Sequence, residues 1–188
     1  RDRGAGRPSE AVPGCAGEYR AYNFINMEED IIKETAESID LGMGIRVLSG
    51  EKTGYAYTND LSLEKMKKAA LSASAIAAAP GPVRVADLRR VALDHNYYRV
   101  EVVPHQVPLE NRIDLVKESY KACQSFHPSV KKVKAALQSQ IQYVTIVNSE
   151  GLLVSDARPL LKLTCVAIAE KGKLTEFPVY TKMVPIWK

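Results

Sequence analysis

The stretch from Gly42 to Ser62 contains the residues that most resemble a nucleotide site. Gly50-Glu51-Lys52-Thr53 looks like the end of a phosphate-binding loop. That loop needs lysine directly after its last glycine, to reach the terminal phosphates, and here Glu51 intervenes. Gly42-Met43-Gly44 begins a dinucleotide G-x-G, but the third glycine would fall on Val47, whose side chain blocks the close helix–strand approach. Both nucleotide interpretations are therefore rejected.

The histidines, cysteines and serines form no recognisable motif for metal binding or hydrolysis. No pair of histidines has i,i+4 spacing, no H-E-x-x-H or G-x-S-x-G occurs, and no histidine neighbours a cysteine at metal-ligand spacing. A zinc site assembled from residues distant in sequence stays open. Asp156 and Arg158 are interpreted as an ion pair just before a strand. The sequence alone therefore assigns no catalytic or metal-ligating residue. The histidines and cysteines of the chain are His95, His105, His127, Cys15, Cys123 and Cys165.

Composition indicates a soluble globular protein. Apolar residues make up 46% and charged residues 26% of 188 residues, and the net charge is only +4. The lysines are spread out, which favours a solvated face over a nucleic-acid patch. Three isolated cysteines favour reduced, buried thiols and a cytoplasmic location. No apolar run is long enough for a membrane span, and no signal-peptide core occurs at the start.

The same stretch, Gly42 to Ser62, predicts a β-hairpin. Two runs with period-2 alternation, 45–48 and 55–58, flank a polar connection with a glycine at each shoulder, Gly50 and Gly54. Residues 18–40 predict one or two further strands around a turn at 28–30. We therefore expect four short antiparallel strands in this part of the chain.

Two helices are predicted from apolar residues recurring every three or four positions. The first begins after Ser62 as N-cap and ends before Pro80, and the second runs from about Leu109 to Ser125. Cys123 lies on the apolar stripe of the second helix and is predicted to be a core residue. Its stripe comprises Leu109, Ile113, Val116, Tyr120 and Cys123.

The remaining sequence predicts three or four more strands, with turns at 148–151 and 171–173. The expected organisation is a disordered leader at 1–17, a domain at 18–173 with an internal linker at 82–107, and an atypical tail at 174–188. The predicted fold is α+β, with antiparallel hairpins and meanders and two main helices packed on one face.

Three ordered motifs resemble the amino-terminal half of the TldD/PmbA family, also known as modulators of DNA gyrase. The motifs are EEDIIKE, GMGIRVLSGEKTGYAYTNDLS and SEGLLVSDARPLLKLTCVAIAEKGK. The resemblance covers about 18–173 and is closer to the TldD branch. The matching residues, which we expect to be structural, are Gly42, Gly44, Arg46, Gly50, Gly54, Ala56, Asp156, Arg158 and Pro159.

The resemblance implies a cytoplasmic zinc metallopeptidase in which TldD-like and PmbA-like subunits pair around a cavity for unfolded peptides. The expected partner is thus a TldD/PmbA-type subunit, in a hetero- or homo-dimer. In the family, zinc is held by an H-E-x-x-x-H helix and a downstream cysteine in the carboxy-terminal half. We expect this chain to lack that half, to bind no zinc and to be inactive alone. It would be a non-catalytic domain or fragment.

Two alternatives stay open. The chain could be a stand-alone binding module that docks on a PmbA-like partner and regulates it, with hairpin edges available for strand addition. It could also modulate DNA gyrase, although its scattered lysines make nucleic-acid binding unlikely.

Overall fold

The structure is a computed structural model, and it describes residues 12–78, 87–92, 102–171, 174–176 and 179–184. Predictions that fall on the leader up to residue 11, on most of the linker and on the end of the tail lie outside the described residues.

The described residues form an α+β fold, as predicted. The strands follow the order β3-β2-β1-β5-β6-β4, with β7 and β8 also pairing with β6. Pairing with β3, β7 and β8 is antiparallel, whereas the short β4 runs parallel to β6. The elements are β1 (Val12–Glu28), β2 (Ile31–Ser49), β3 (Lys52–Thr58), α1 (Leu63–Ile76), β4 (Arg89–Arg90), a 3-10 helix (Pro104–Gln106), α2 (Leu109–Ser125), β5 (Val130–Asn148), β6 (Leu152–Lys171), β7 (Leu174–Glu176) and β8 (Val179–Val184).

The first strands are fewer and longer than predicted. Up to Thr58 the structure has three strands, not four short ones, and β1 and β2 have 17 and 19 residues. The break between them is the two-residue turn Glu29–Asp30, in which both residues have positive φ, 52° and 59°. Two residues in the left-handed region match the type I′ turn that joins twisted strands, usually through Asn-Gly. Because this turn contains no glycine, its two-residue length was not predicted from the sequence.

The predicted leader ends earlier than expected. β1 already begins at Val12, so residues 12–17 belong to a strand. Ser149 donates its N–H to the Pro13 carbonyl at 2.9 Å, and Cys15 packs against a buried apolar cluster. These contacts hold residues 12–17 in the sheet, although this segment contains glycine and proline.

The predicted linker and tail also contain sheet residues. In the linker, the Arg89 N–H donates to the Gly151 carbonyl at 2.7 Å, and the Val91 N–H to the Leu153 carbonyl at 2.9 Å. In the tail, β8 pairs with residues 161–166 of β6, and β7 pairs with 169–171. The tail therefore continues the sheet.

The chain divides into two compact units, each with its own core. Unit 1 comprises residues 1–19, 40–95 and 143–156, and unit 2 comprises 20–39, 96–142 and 157–188. In unit 1 the small residues of α1 cover β2 and β3. Its buried residues are Ile45, Val47, Ala69, Ala73 and Ala77.

Unit 2 is organised around α2. Val116 and Tyr120 are buried against strand residues, and Ile113 and Cys123 pack at the edge, so the predicted stripe of this helix is confirmed. Leu109, at the start of the helix, stays exposed. The buried apolar cluster around α2 comprises Ile25, Met27, Val116, Tyr120, Val133, Ala135, Leu137, Leu161 and Cys165.

Sequence periodicity missed Arg112, which is buried in the first turn of α2. Its guanidinium Nη2 donates to Glu37 Oε1 at 3.0 Å. Tyr120 supplies a second polar contact, because its hydroxyl accepts the Asp30 N–H at 3.0 Å. These contacts hold β2 and the turn before it to the helix within unit 2.

Replacing Asp30 with glycine should stabilise the protein. A side chain in the left-handed region costs about 1 kcal/mol, which glycine avoids, so we expect the free energy of unfolding to rise by about 0.5–1 kcal/mol. Chemical denaturation would measure it. Asp40→Gly is the matched control, since Asp40 is an exposed strand residue, and it should lower stability. A decrease for both variants would contradict the turn assignment.

Candidate functional site

The predicted hairpin is confirmed, and it holds most of the motif residues. Met43–Ser49 pairs with Lys52–Thr58 across the two-residue loop Gly50–Glu51. Gly50 has φ of 60° and occupies the first central position, where type II′ turns require glycine. The exposed carboxylate of Glu51 occupies the second. This loop is a strand connection and not a phosphate cradle.

Gly54 lets α1 approach the hairpin closely. A Cβ atom at this position would overlap the Ala73 carbonyl oxygen and would lie 2.8 Å from the Ala77 nitrogen. Both are helix backbone atoms, which cannot move aside as a flexible side chain could. Together with the alanine face of α1, Gly54 therefore sets the distance between helix and sheet.

Gly42 and Gly44 have a different role on the opposite face of the hairpin. The ring of Tyr57 lies over Gly42, and the ring of Tyr55 lies over Gly44, where Cβ atoms would collide with them. Aromatic rings lying across strand glycines cover backbone that would otherwise be bare. Tyr55 and Tyr57 nevertheless remain 59% and 61% exposed.

Arg46 completes this outer face of the hairpin. It lies directly opposite Tyr55 in the strand register and is exposed. Two tyrosine rings beside a guanidinium offer stacking and cation–π contacts to a partner. We call the set Arg46, Tyr55 and Tyr57 the tyrosine face. It contains no carboxylate, imidazole or thiol.

Replacing Gly54 with alanine should destabilise the protein strongly. Backbone overlap with α1 is overpacking, so we expect the free energy of unfolding to fall by about 2–3 kcal/mol. Denaturant titration would measure it. Gly17→Ala is the matched control, because the nearest atom its Cβ would meet is 4.0 Å away. Equal effects of the two substitutions would contradict the role of Gly54.

The remaining motif residues lie inside β6 and not just before a strand, as was expected of Asp156 and Arg158. Asp156 is half-buried, Arg158 is exposed and Pro159 is buried. Pro159 lies two residues before the stretch that pairs with β8, which begins at Leu161. That position suits a residue without an N–H, because proline is confined to unpaired edges of strands. The pairing of Asp156 with Arg158 stays a prediction.

Two of the three histidines are described, and neither belongs to a catalytic group there. His127 Nδ1 accepts the Ser129 N–H at 3.1 Å and contacts Ser129 Oγ at 2.7 Å, a local turn contact at the exposed end of α2. His105 is exposed in the 3-10 helix. His95 lies outside the described residues. Within the described ranges, no three His, Cys, Asp or Glu side chains lie close enough to hold a metal ion.

The three thiols are free, and their surroundings differ. Burial, followed by the neighbouring Cys123 thiol, raises the pKa of Cys165 to about 12. Its Sγ donates to the Ser119 carbonyl at 3.9 Å. Burial also raises the pKa of Cys15, which is only half-buried and lines an apolar groove of about 390 Å³ in unit 1. No local pattern in the sequence predicts this groove, because its walls come from segments that are far apart in the chain.

Alkylation rates should therefore separate the thiols. Only the thiolate reacts, so a raised pKa and burial both protect. At pH 8, we expect Cys15 to react with iodoacetamide and Cys165 to react only after denaturation. Peptide mass spectrometry over time would measure both rates. Reaction of Cys165 in the folded protein at the rate of Cys15 would contradict the packing of α2 on β6.

Two segments of the chain match domains of a known protein family. Residues 17–77 match the PmbA/TldA metallopeptidase domain 1, and residues 103–182 match the PmbA/TldA metallopeptidase central domain, in that order. The chain belongs to the PmbA/TldD metallopeptidase family. The central-domain match extends to residue 182, so most of the predicted atypical tail is part of a PmbA/TldD domain.

The curated relatives of this PmbA/TldD chain are TldD proteins. It is 32% identical to the metalloprotease TldD homolog of Haemophilus influenzae over 149 residues, which cover 78% of this chain and 31% of the relative. It is 28% identical over 153 residues to the corresponding protein of Buchnera aphidicola from Acyrthosiphon pisum, covering 78% and 30%. The chain thus spans about a third of the length of the curated relatives it matches.

Solved structures share this PmbA/TldD fold. A proposed modulator of DNA gyrase from Thermotoga maritima superposes with a TM-score of 0.74 at 14% identity, over 94% of this chain and 40% of that one. TldE from Thermococcus kodakarensis gives 0.62 at 16% identity, over 92% and 39%. At these identities the likeness concerns the fold alone. No helix among the described residues is long and apolar enough to cross a membrane.

Proposed function

We propose that this chain forms the amino-terminal and central, non-catalytic domains of a TldD-like zinc metallopeptidase. The assembly would cleave unfolded peptides in the cytoplasm as two paired subunits. The observation that carries the proposal is the match to the first and central family domains in chain order, over most of the chain. The metalloprotease names of its relatives support the same class of chemistry.

The described residues do not fit a hydrolytic zinc ion. A catalytic zinc needs three protein ligands and one open position for water. The described range offers no such set, and its two histidines serve local structure or face solvent. We therefore derive no hydrolytic step through this chain. In the proposal, the H-E-x-x-x-H segment expected from the family resemblance supplies zinc chemistry.

The contribution of these domains is then binding and assembly. The tyrosine face of unit 1 is exposed and rich in groups that contribute strongly to protein interfaces, namely tyrosine and arginine. This observation also favours the second candidate, a module that docks on a PmbA-like subunit and regulates it. No described feature favours a role on DNA, where a contiguous basic patch would be expected.

The isolated chain should contain no stoichiometric zinc and should cleave no peptide. Elemental analysis after equilibration with zinc, and mass spectrometry of an unfolded peptide incubated with the protein, would test this. A full-length TldD protein is the positive control for both assays. Stoichiometric zinc together with cleavage by this chain would overturn the non-catalytic assignment.

The tyrosine face can be tested for subunit docking by co-purification with a full-length PmbA-like protein. Because two stacking groups are lost, the double variant Arg46→Ala/Tyr55→Ser should reduce binding at least about tenfold. Lys65→Ala/Leu71→Ser is the matched control, as it removes an exposed cation and an exposed apolar side chain from α1. Unchanged pairing of the first variant would remove the docking role of this face.

A further inference from the structure

Two thiols of unit 2 lie where α2 packs on β6. Cys165 belongs to the buried apolar cluster around α2, and Cys123, in the last turn of that helix, packs against the same cluster. The Sγ atom of Cys165 contacts the helix backbone, at 3.9 Å from the Ser119 carbonyl oxygen. Ser119 and Cys123 are four residues apart and therefore lie on one face of the helix. The contact at Ser119 thus brings the Cys165 sulfur beside the Cys123 side chain.

The two thiols interact with each other. Burial is the main cause of the raised pKa of Cys165, and a hydrogen bond between this thiol and the Cys123 thiol raises the pKa further. Such a hydrogen bond requires the two sulfur atoms to be neighbours. Both thiols are free, so the pair is a dithiol that spans the contact between a helix and a strand.

Reagents in solution reach the two thiols unequally. Cys165 is only 6% exposed, whereas Cys123 is half-buried. An oxidant that arrives from solvent therefore meets Cys123 first, and Cys165 is then placed to attack the oxidised sulfur. An accessible cysteine beside a second, resolving cysteine is the arrangement that converts a sulfenic acid into a disulfide. Cys15 belongs to unit 1, which contains no other cysteine.

We propose that Cys123 and Cys165 form a reversible disulfide between α2 and β6 when the protein meets a peroxide. The Cys123 thiolate attacks one peroxide oxygen, which breaks the O–O bond and gives a sulfenic acid, and the hydroxide released becomes water with the proton that Cys123 lost. The Cys165 sulfur then attacks the Cys123 sulfur, forms the S–S bond and expels hydroxide, which takes up the Cys165 proton. The two thiols lose two electrons, and one peroxide is reduced to two waters. The proposal concerns unit 2 and does not depend on peptidase function.

The disulfide should stabilise the fold. It closes a loop of residues 123–165, which contains all of β5. Because a cross-link restricts the unfolded chain, oxidation should lower the equilibrium constant of unfolding by at least about thirtyfold. Denaturant titration of the oxidised chain, with and without dithiothreitol, would measure this change. An equal or lower midpoint after oxidation would contradict the fit of this bond to the packing of α2 on β6.

Peptide mass spectrometry tests the pairing directly. The folded chain is treated with hydrogen peroxide, unfolded in iodoacetamide to block the remaining thiols, and digested without reduction. We expect a cross-linked peptide pair that carries Cys123 and Cys165 and that dithiothreitol separates. Recovery of these two cysteines without the cross-link, alkylated or further oxidised, would overturn the proposal. Linkage of Cys15 to either of them in its place would overturn it as well.

Three variants test the order of the two steps. Cys123→Ser should leave Cys165 reduced in the folded chain, because peroxide reaches this sulfur only through Cys123. Cys165→Ala should stop the reaction at the Cys123 sulfenic acid, which dimedone traps as a stable adduct. Cys15→Ser is the matched control, since it removes a half-buried thiol from unit 1 and should give the wild-type cross-link. Oxidation of Cys165 at the wild-type rate in Cys123→Ser would overturn the proposal even if Cys165→Ala failed to fold.

Discussion

The backbone contact between α1 and the β2–β3 hairpin is the constraint on which unit 1 depends. At Gly54 the helix lies so close that no side chain fits between them, and the alanine face of α1 matches this distance. Apolar burial there comes from many small contacts at short range, so it is sensitive to one added methyl group. The motif glycines are explained by this geometry. Gly54 admits the helix, Gly50 makes the turn, and Gly42 and Gly44 lie under aromatic rings.

The motif residues that this chain shares with the family shape its structure. The motif residues that look most like a nucleotide site shape a hairpin, and the exposed tyrosines of this hairpin offer aromatic surface for contacts. In unit 2 the polar contacts of α2 likewise hold a strand and do not activate a nucleophile. Arg112 and Tyr120 attach β2 to the helix, while Cys165 is shielded by burial. The described residues thus fit domains that build and present surfaces within a metallopeptidase family.

The sequence predicted the elements whose signals are local. The hairpin follows from two alternating runs around Gly50, and α2 follows from the spacing of Val116 and Tyr120. It predicted the turn at 28–30 but not the lengths of β1 and β2, because this turn is tight without a glycine and is held partly by the distant Tyr120 hydroxyl. It also missed β4, whose two residues owe their pairing to β6. Contacts between distant segments decided each of these cases.

The site was predicted to a similar extent. The motif positions were predicted from the family resemblance, and that resemblance was confirmed. The tyrosine face and the apolar groove beside Cys15 could not be predicted, because which side chains share a surface depends on register and on packing by α1. Asp156 and Arg158 were expected just before a strand, whereas both lie inside β6, which already begins at Leu152.

The central claim, that the motif glycines join the hairpin and α1 into one structural unit, is tested most directly by native-state hydrogen exchange. If the claim holds, amides of α1 and of the paired hairpin residues will open together, with the same free energy and the same denaturant dependence. Exchange of α1 at markedly lower free energy, with the hairpin still protected, would contradict the claim.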